Sequence, residues 1–230
     1  MLRTEILKNG TKVITSDIHR INADGPLLAS FTEPKKDELI LDLCSGGGIV
    51  LLWLFDRGYS GEAVAVEKQP KAAALLRQSA EINSIDSIVI YEGAINSYTS
   101  DKKFDTVCCN APYFSAESGK SANSQERAAA RSAQGRFIFD VAETAARNLK
   151  EGGRFCCCWL PARAESLFAG LRQARLAPKR LRFCRHSEGS TPWLMLLDAR
   201  LHGGEGLSVL PDFICEKDGK KTKEYSEIFI

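Results

Sequence analysis

Asn110, Ala111, Pro112 and Tyr113 follow the apolar run FDTVCC at 104–109 without a break. A carboxamide can accept and donate hydrogen bonds at once, and a tyrosine ring offers a flat face to another ring. A plain strand-to-loop turn explains the proline, but not the asparagine and tyrosine around it. A second group lies upstream. Asp42, Ser45, Gly46, Gly47 and Gly48 sit between an apolar run and an amphipathic one, and Glu67 closes the next apolar run. Glycines let the backbone turn tightly and approach a ligand closely. An acid at the end of the second strand can accept hydrogen bonds from ribose hydroxyls. The loop lacks the lysine-bearing pattern of a phosphate loop, which disfavours ATP and GTP. Together these residues point to a nucleoside-bearing cofactor.

The elements that must position them alternate. Strands are expected at 38–44, 62–67, 87–93, 104–109 and 154–160, and near 179–185 and 193–200. Helices are expected at 49–58, at 70–83 with Pro70 in the first turn, from the polar loop 115–126 to about Asn148, and at 162–176. Near-continuous apolar strands separated by helices predict an α/β fold: a doubly wound, mostly parallel sheet covered on both faces. Residues 1–36 read as an N-terminal extension leading into the cofactor site, 37–202 as the core, and 203–230 as a C-terminal extension on the same domain.

The chain has 230 residues and a net charge of +2, so total charge names no partner. Eight cysteines raise the question of zinc or disulfides, but no Cys-x-x-Cys pair occurs. Cys108-Cys109 and Cys156-Cys157-Cys158 are contiguous, and strand neighbours point to opposite faces. They read as small buried hydrophobes in a reducing, cytoplasmic setting, with no metal. No apolar stretch is long enough to span a membrane, and the N-terminus lacks the apolar centre of a signal peptide. His19, His186 and His202 show no ligand spacing.

Asp42-x-x-x-Gly46-x-Gly48 followed by Glu67 resembles the S-adenosyl-L-methionine site of the seven-strand class I methyltransferases, which have a Rossmann-like fold. That resemblance implies seven strands and S-adenosyl-L-methionine as cofactor. The loop, including Ser45, would contact its methionine part and Glu67 its ribose. Cys44 stands where many relatives have a glycine. Ala94 stands where many carry an acid near the adenine amine, so Glu92 or a backbone group would substitute. Asn110-Ala111-Pro112-Tyr113 resembles the Asn-Pro-Pro-Tyr motif of amino-group methyltransferases. It implies that the Asn110 side-chain oxygen and the Ala111 carbonyl accept from the target amine, while Tyr113 stacks on its ring. Pro112 restricts Ala111 to extended backbone, which partly replaces the missing first proline.

The stretches ADGPLLASF, FDTVCCNAPYF, NLKEGGRFCCCWLP, LAPKRLRFCRH and GLSVLPDFICEKDGKKTKEYSEIF, from about Asp24 almost to the C-terminus, resemble the bacterial tRNA(Val) adenine N6-methyltransferase group, within the small-domain methyltransferases. Adenine N6 in a tRNA anticodon loop is the substrate this implies. Phe114 and Arg131 would lie on the substrate side. Arginines and lysines are concentrated in 154–186 against one acid, Glu165, so Arg180 and Arg182 are expected to track phosphates. The expected state is a monomer. Competing substrates are a protein glutamine amide or another RNA or DNA base. A catalytically silent RNA-binding module is the non-enzyme alternative.

Overall fold

A computed structural model describes residues 1–111 and 124–229, with 124–135 by backbone alone. Pro112, Tyr113 and Phe114 lie outside the described residues, as does the side chain of Arg131. The chain opens with an antiparallel hairpin of β1 (Leu2–Ile6) and β2 (Lys12–Ser16), then α1 (Asp24–Thr32). Next come β3 (Ile40–Leu43), α2 (Ile49–Asp56), β4 (Ala63–Glu67), α3 (Pro70–Ile82), β5 (Ile88–Glu92) and β6 (Phe104–Asn110). Then follow α4 (Ser124–Asn148), β7 (Leu149–Trp159), α5 (Ala164–Gln173), β8 (Leu176–Ser187) and β9 (Leu194–Leu201). Residues beyond 202 supply β10 (Ser208–Val209), β11 (Phe213–Lys217), β12 (Lys220–Lys221) and α6 (Lys223–Phe229).

The central sheet runs β12-β11-β8-β9-β7-β6-β3-β4-β5, with β10 also paired to β8. Its strands are parallel except at β9, which is antiparallel to β7 and β8, and at the β11–β12 hairpin. Among the described residues this sheet has ten strands in place of the seven expected. The extra three are β10, β11 and β12, because the C-terminal segment pairs with the exposed edge of β8 instead of only packing on it. Covering an edge removes a row of unpaired backbone groups. Two carbonyls of α6 then accept from the end of α2: Trp53 Nε1–H donates to Ile228 O at 3.3 Å, and Arg57 Nη2–H, just past the helix, donates to Glu227 O at 2.7 Å.

Strands β3 and β4 are buried along almost their whole length, as parallel strands covered on both faces must be. One apolar cluster joins α1, α2 and α6 to one face; the other joins α4 and α5 to the opposite face. The cysteines obey the strand alternation: Cys108, Cys156 and Cys158 belong to the first cluster, Cys109 and Cys157 to the second. All eight are free thiols, and all but Cys44 are buried. Burial pushes the Cys156 and Cys184 thiols up to about 12. Among the described residues no helix is long and apolar enough to cross a membrane.

Arg180 and Arg182, expected to track phosphates, are paired within the chain, as are Arg154 and Arg185. Arg180 donates to Asp198 at 3.1 Å, to Glu33 at 2.9 Å and to Phe31 O, and lies over the Phe31 ring. Arg154 joins the same buried Asp198 and donates to Thr32 O at 2.7 Å. Arg182 makes a forked pair with Glu224 at 2.5 and 2.7 Å, and Arg185 pairs with Asp212. These side chains tie α1 and the C-terminal segment to the sheet. Arg180→Ala should therefore lower stability by about 1–3 kcal/mol, because it removes a partner from a buried carboxylate. Urea unfolding measures it; an unchanged midpoint would return Arg180 to the surface.

Candidate active site

The carboxyl ends of β3 and β6 diverge at the point where the strand order reverses: β3 continues to β4 on one side and to β6 on the other. Doubly wound sheets bind ligands in the crevice above such a point. The loop after β3 enters it under steric compulsion. Gly48 has φ +80°, and a Cβ there would lie 2.2 Å from Leu76 Cδ1 of α3. Only glycine allows α2 to start that close to α3. Cys44 holds φ +60°, a left-handed conformation unusual for a residue with a side chain.

Glu67, at the end of β4, locks this loop. Its Oε2 accepts the Gly46 N–H at 2.8 Å and its Oε1 accepts the Gln69 N–H at 2.7 Å. The carboxylate is nearly buried, with both oxygens fixed by backbone donors. Across the crevice Asn110 ends β6. Its Oδ1 accepts from the Cys158 thiol at 3.0 Å, between strand neighbours in register. Between them lies a cavity of about 300 Å³. Gly46, Glu67, Ala94 and Asn110 line it, together with Cys44, Val66, Lys68, Gln69, Gly93, Ile95, Asn96, Phe137 and Asp140.

Four of the expected cofactor residues do not line that cavity. Glu92 is turned outwards by Arg77, at 2.6 Å. Gly48 packs on Leu76. Ser45 in the loop and Asp42 on β3 are buried, and Ser45 Oγ and Asp42 Oδ2 have no hydrogen-bond partner in the described structure. Ala111 is buried, in the same apolar cluster as Ile138 and Val141 of α4. Sequence reasoning missed Gln69, Asn96, Phe137 and Asp140. Gln69 and Asn96 sit two residues beyond Glu67 and Ala94, a short-range signal. Phe137 and Asp140 are one helical turn apart, but nothing local shows that this stripe of α4 faces the crevice.

Asp42 is wholly buried, and its remaining oxygen accepts from the Cys108 thiol at 3.4 Å. Burial raises its carboxyl from 3.8 to about 7; the Cys108 hydrogen bond opposes this and the Glu67 charge adds to it. A carboxyl raised in the folded state favours folding while protonated. That contribution is full below the ordinary value of 3.8 and is lost as pH rises through about 7. Melting temperature should thus fall over this window more steeply in the wild type than in Asp42→Asn. Parallel curves for the two proteins would remove Asp42 as the cause.

The donor set suits an adenosine-bearing ligand. A fixed carboxylate can take two vicinal hydroxyls, three carboxamides (Gln69, Asn96 and Asn110) offer directional polar contacts, and Val66, Ile95 and Phe137 give apolar walls. The space where a Gly46 side chain would stand is open, with nothing within 4 Å. Among the described residues no group of three or more His, Cys, Asp or Glu could hold a metal ion.

The family model described as "Methyltransferase small domain" matches residues 19–160. A tRNA1(Val) (adenine(37)-N6)-methyltransferase of Glaesserella parasuis is 33% identical over 99 residues, which cover 41% of each chain. The match thus spans about two fifths of that relative's length. An enzyme of the same name from Dickeya chrysanthemi is 29% identical over 192 residues, covering 81% of this chain and 74% of that one. A solved structure from Agrobacterium tumefaciens, described as a predicted O-methyltransferase, superposes with a TM-score of 0.72. It is 19% identical and covers 89% of this chain and 94% of its own, which shows the shared fold.

Proposed function

The chain belongs to the methyltransferase small-domain family, and from that premise we propose that it transfers a methyl group from S-adenosyl-L-methionine to adenine N6 in the anticodon loop of a tRNA. The observation that carries the reading is the placing of Asn110 and Glu67 on opposite walls of one cavity. Glu67 would hold the ribose hydroxyls, and Gly46 would leave room for the methionine part. Asn96 reaches the cavity where the expected acid is missing, so its carboxamide would meet the adenine edge in place of Glu92. When bound, the cofactor supplies an electrophilic methyl on a sulfonium.

The protein's task is to make a poor nucleophile available. An exocyclic amine has its lone pair delocalised into the ring. Two acceptors drawing on its two N–H groups would shift the nitrogen towards tetrahedral geometry and fix it for in-line attack. Asn110 Oδ1 is one acceptor. The Cys158 thiol holds that oxygen from one side and so selects the orientation of the carboxamide. The Ala111 carbonyl is the second acceptor, and Tyr113 is the stacking plane. A splayed base from a single-stranded loop reaches such a crevice more readily than a paired one. Lys68 at the cavity and Arg163, just past the end of β7, stand at the carboxyl edge where RNA would approach. The substrate named for the curated relatives supports adenine in tRNA.

The test is incubation of total RNA with labelled cofactor, followed by nucleoside mass analysis. N6-methyladenosine in the tRNA fraction supports the reading. Label in protein glutamine, in another nucleoside, or nowhere would replace it.

A further inference from the structure

The N-terminal hairpin treats its two edges differently. Along β2, the Lys12 N–H donates to Asn83 Oδ1 at 2.9 Å and the Lys12 carbonyl accepts from Asn83 Nδ2 at 2.7 Å. The Ile14 N–H donates to Ser79 Oγ at 2.8 Å. Side chains of α3 thus satisfy this outer edge. In an antiparallel pair the N–H and C=O of one residue point to the same side, and the side alternates along the strand. Lys12 and Ile14 therefore face away from β1, while Val13 and Thr15 face it. Through the register Glu5↔Val13 and Arg3↔Thr15, Glu5 and Arg3 turn their backbone inwards. The Leu7 N–H, bonded to Thr11 O, continues the same alternation. Leu2, Thr4 and Ile6 are left pointing their N–H and C=O groups at an open edge, with no partner among the described residues.

The side chains of this strand match that edge to itself. Every residue of β1 is exposed, with Leu2 at 58% and Ile6 at 69%. Laid antiparallel to a second copy and centred on Thr4, the strand Leu2-Arg3-Thr4-Glu5-Ile6 is palindromic in character. Leu2 meets Ile6 of the second copy, Arg3 meets its Glu5, and Thr4 meets its Thr4. The outward backbone groups are those of Leu2, Thr4 and Ile6, so this register exchanges about six ladder hydrogen bonds. It also places an opposite-charge pair and an apolar pair twice each across the two-fold axis.

We propose that two copies of this chain associate through their β1 edges, joining the two hairpins into one four-stranded antiparallel sheet. The contact departs from the monomer expected from sequence. It is isologous, so it closes at two copies and does not propagate. It uses none of the cavity-lining residues and is independent of the methyl-transfer reading.

Sedimentation of the wild type, Arg3→Glu, Glu5→Arg and the double swap tests it. Each single swap sets like charges opposite each other twice and should weaken the dimer by about tenfold. The double swap restores opposite charges and should restore the dimer, which also shows that the altered chains still fold. Amide exchange at Thr4 and Ile6 should slow as protein concentration rises. A wild type that sediments as a monomer at every soluble concentration would overturn the proposal. So would a dimer indifferent to the single swaps, a double swap that stays monomeric, or exchange at Thr4 and Ile6 that ignores concentration.

Discussion

Single-turnover methylation by Asn110→Ala is expected to be about 100- to 1000-fold slower than by the wild type, the range for losing one polar group aimed at a transition state. Cofactor affinity should change by less than about tenfold, because in the proposed complex Glu67 and the loop at Gly46 would hold that ligand. The structure adds a reason for the steepness. The Asn110 oxygen is held by the Cys158 thiol before any substrate arrives. The variant therefore loses an acceptor that needs no reorganisation, the kind that contributes most to rate. Asn110→Asp is not an equivalent probe, since it brings a new charge beside the same thiol. Burst measurements with saturating cofactor separate the chemical step from binding. A variant that reacts at the wild-type rate would reduce Asn110 to the end of a strand.

Glu67→Ala should weaken cofactor binding by about a hundredfold. A hydrogen bond to a charged group contributes about 1.5–3 kcal/mol, and this carboxylate has two duties. It accepts the backbone N–H groups of Gly46 and Gln69, which define the loop and the start of α3, and in the proposed complex it also accepts from the ribose. Removing it leaves both donors unpaired at the cavity wall. Glu67→Gln keeps the shape but keeps only one acceptor, so it should fall between the two. Titration calorimetry with S-adenosyl-L-methionine measures both variants. Wild-type affinity in Glu67→Ala would place the ribose elsewhere.

The parts of this site that could be read from sequence are those set by local backbone needs. Gly48 must be glycine because of its positive φ and its approach to Leu76, so it stands out among its neighbours. Glu67 and Asn110 end apolar runs, and strand ends in a parallel sheet share one edge. The illegible parts depend on long-range placement. Arg180 and Arg182 look like surface cations until Asp198 and Glu224 arrive from other elements. Glu92 looks available until Arg77 of α3 takes it. Phe137 and Asp140 belong to a helix whose rotation about its axis only packing decides. The extra strands β10, β11 and β12 are two to five residues long, too short for a period of two to be recognised.

The thiols that cross the sheet also make it a recorder of its own opening. Seven of the eight cysteines are buried, spread over β6, β7, β8 and β11. Burial raises the pKa values of Cys108 and Cys157, and for Cys109 a hydrogen bond with Cys44 does so first, with burial adding to it. A thiol held protonated and out of water does not react with an alkylating reagent, since the thiolate is the nucleophile. Each of these positions therefore becomes reactive only when its strand leaves the sheet, as an amide exchanges only when its hydrogen bond opens. Cys215 lies on β11, near the sheet margin, and Cys108 and Cys109 lie on β6, well inside it. Their labelling order would chart how the sheet frays from its C-terminal side inwards. Cys44 stands apart, since it lines the cavity and is only half-buried. Its modification would register occupancy of the crevice, not disassembly of the fold.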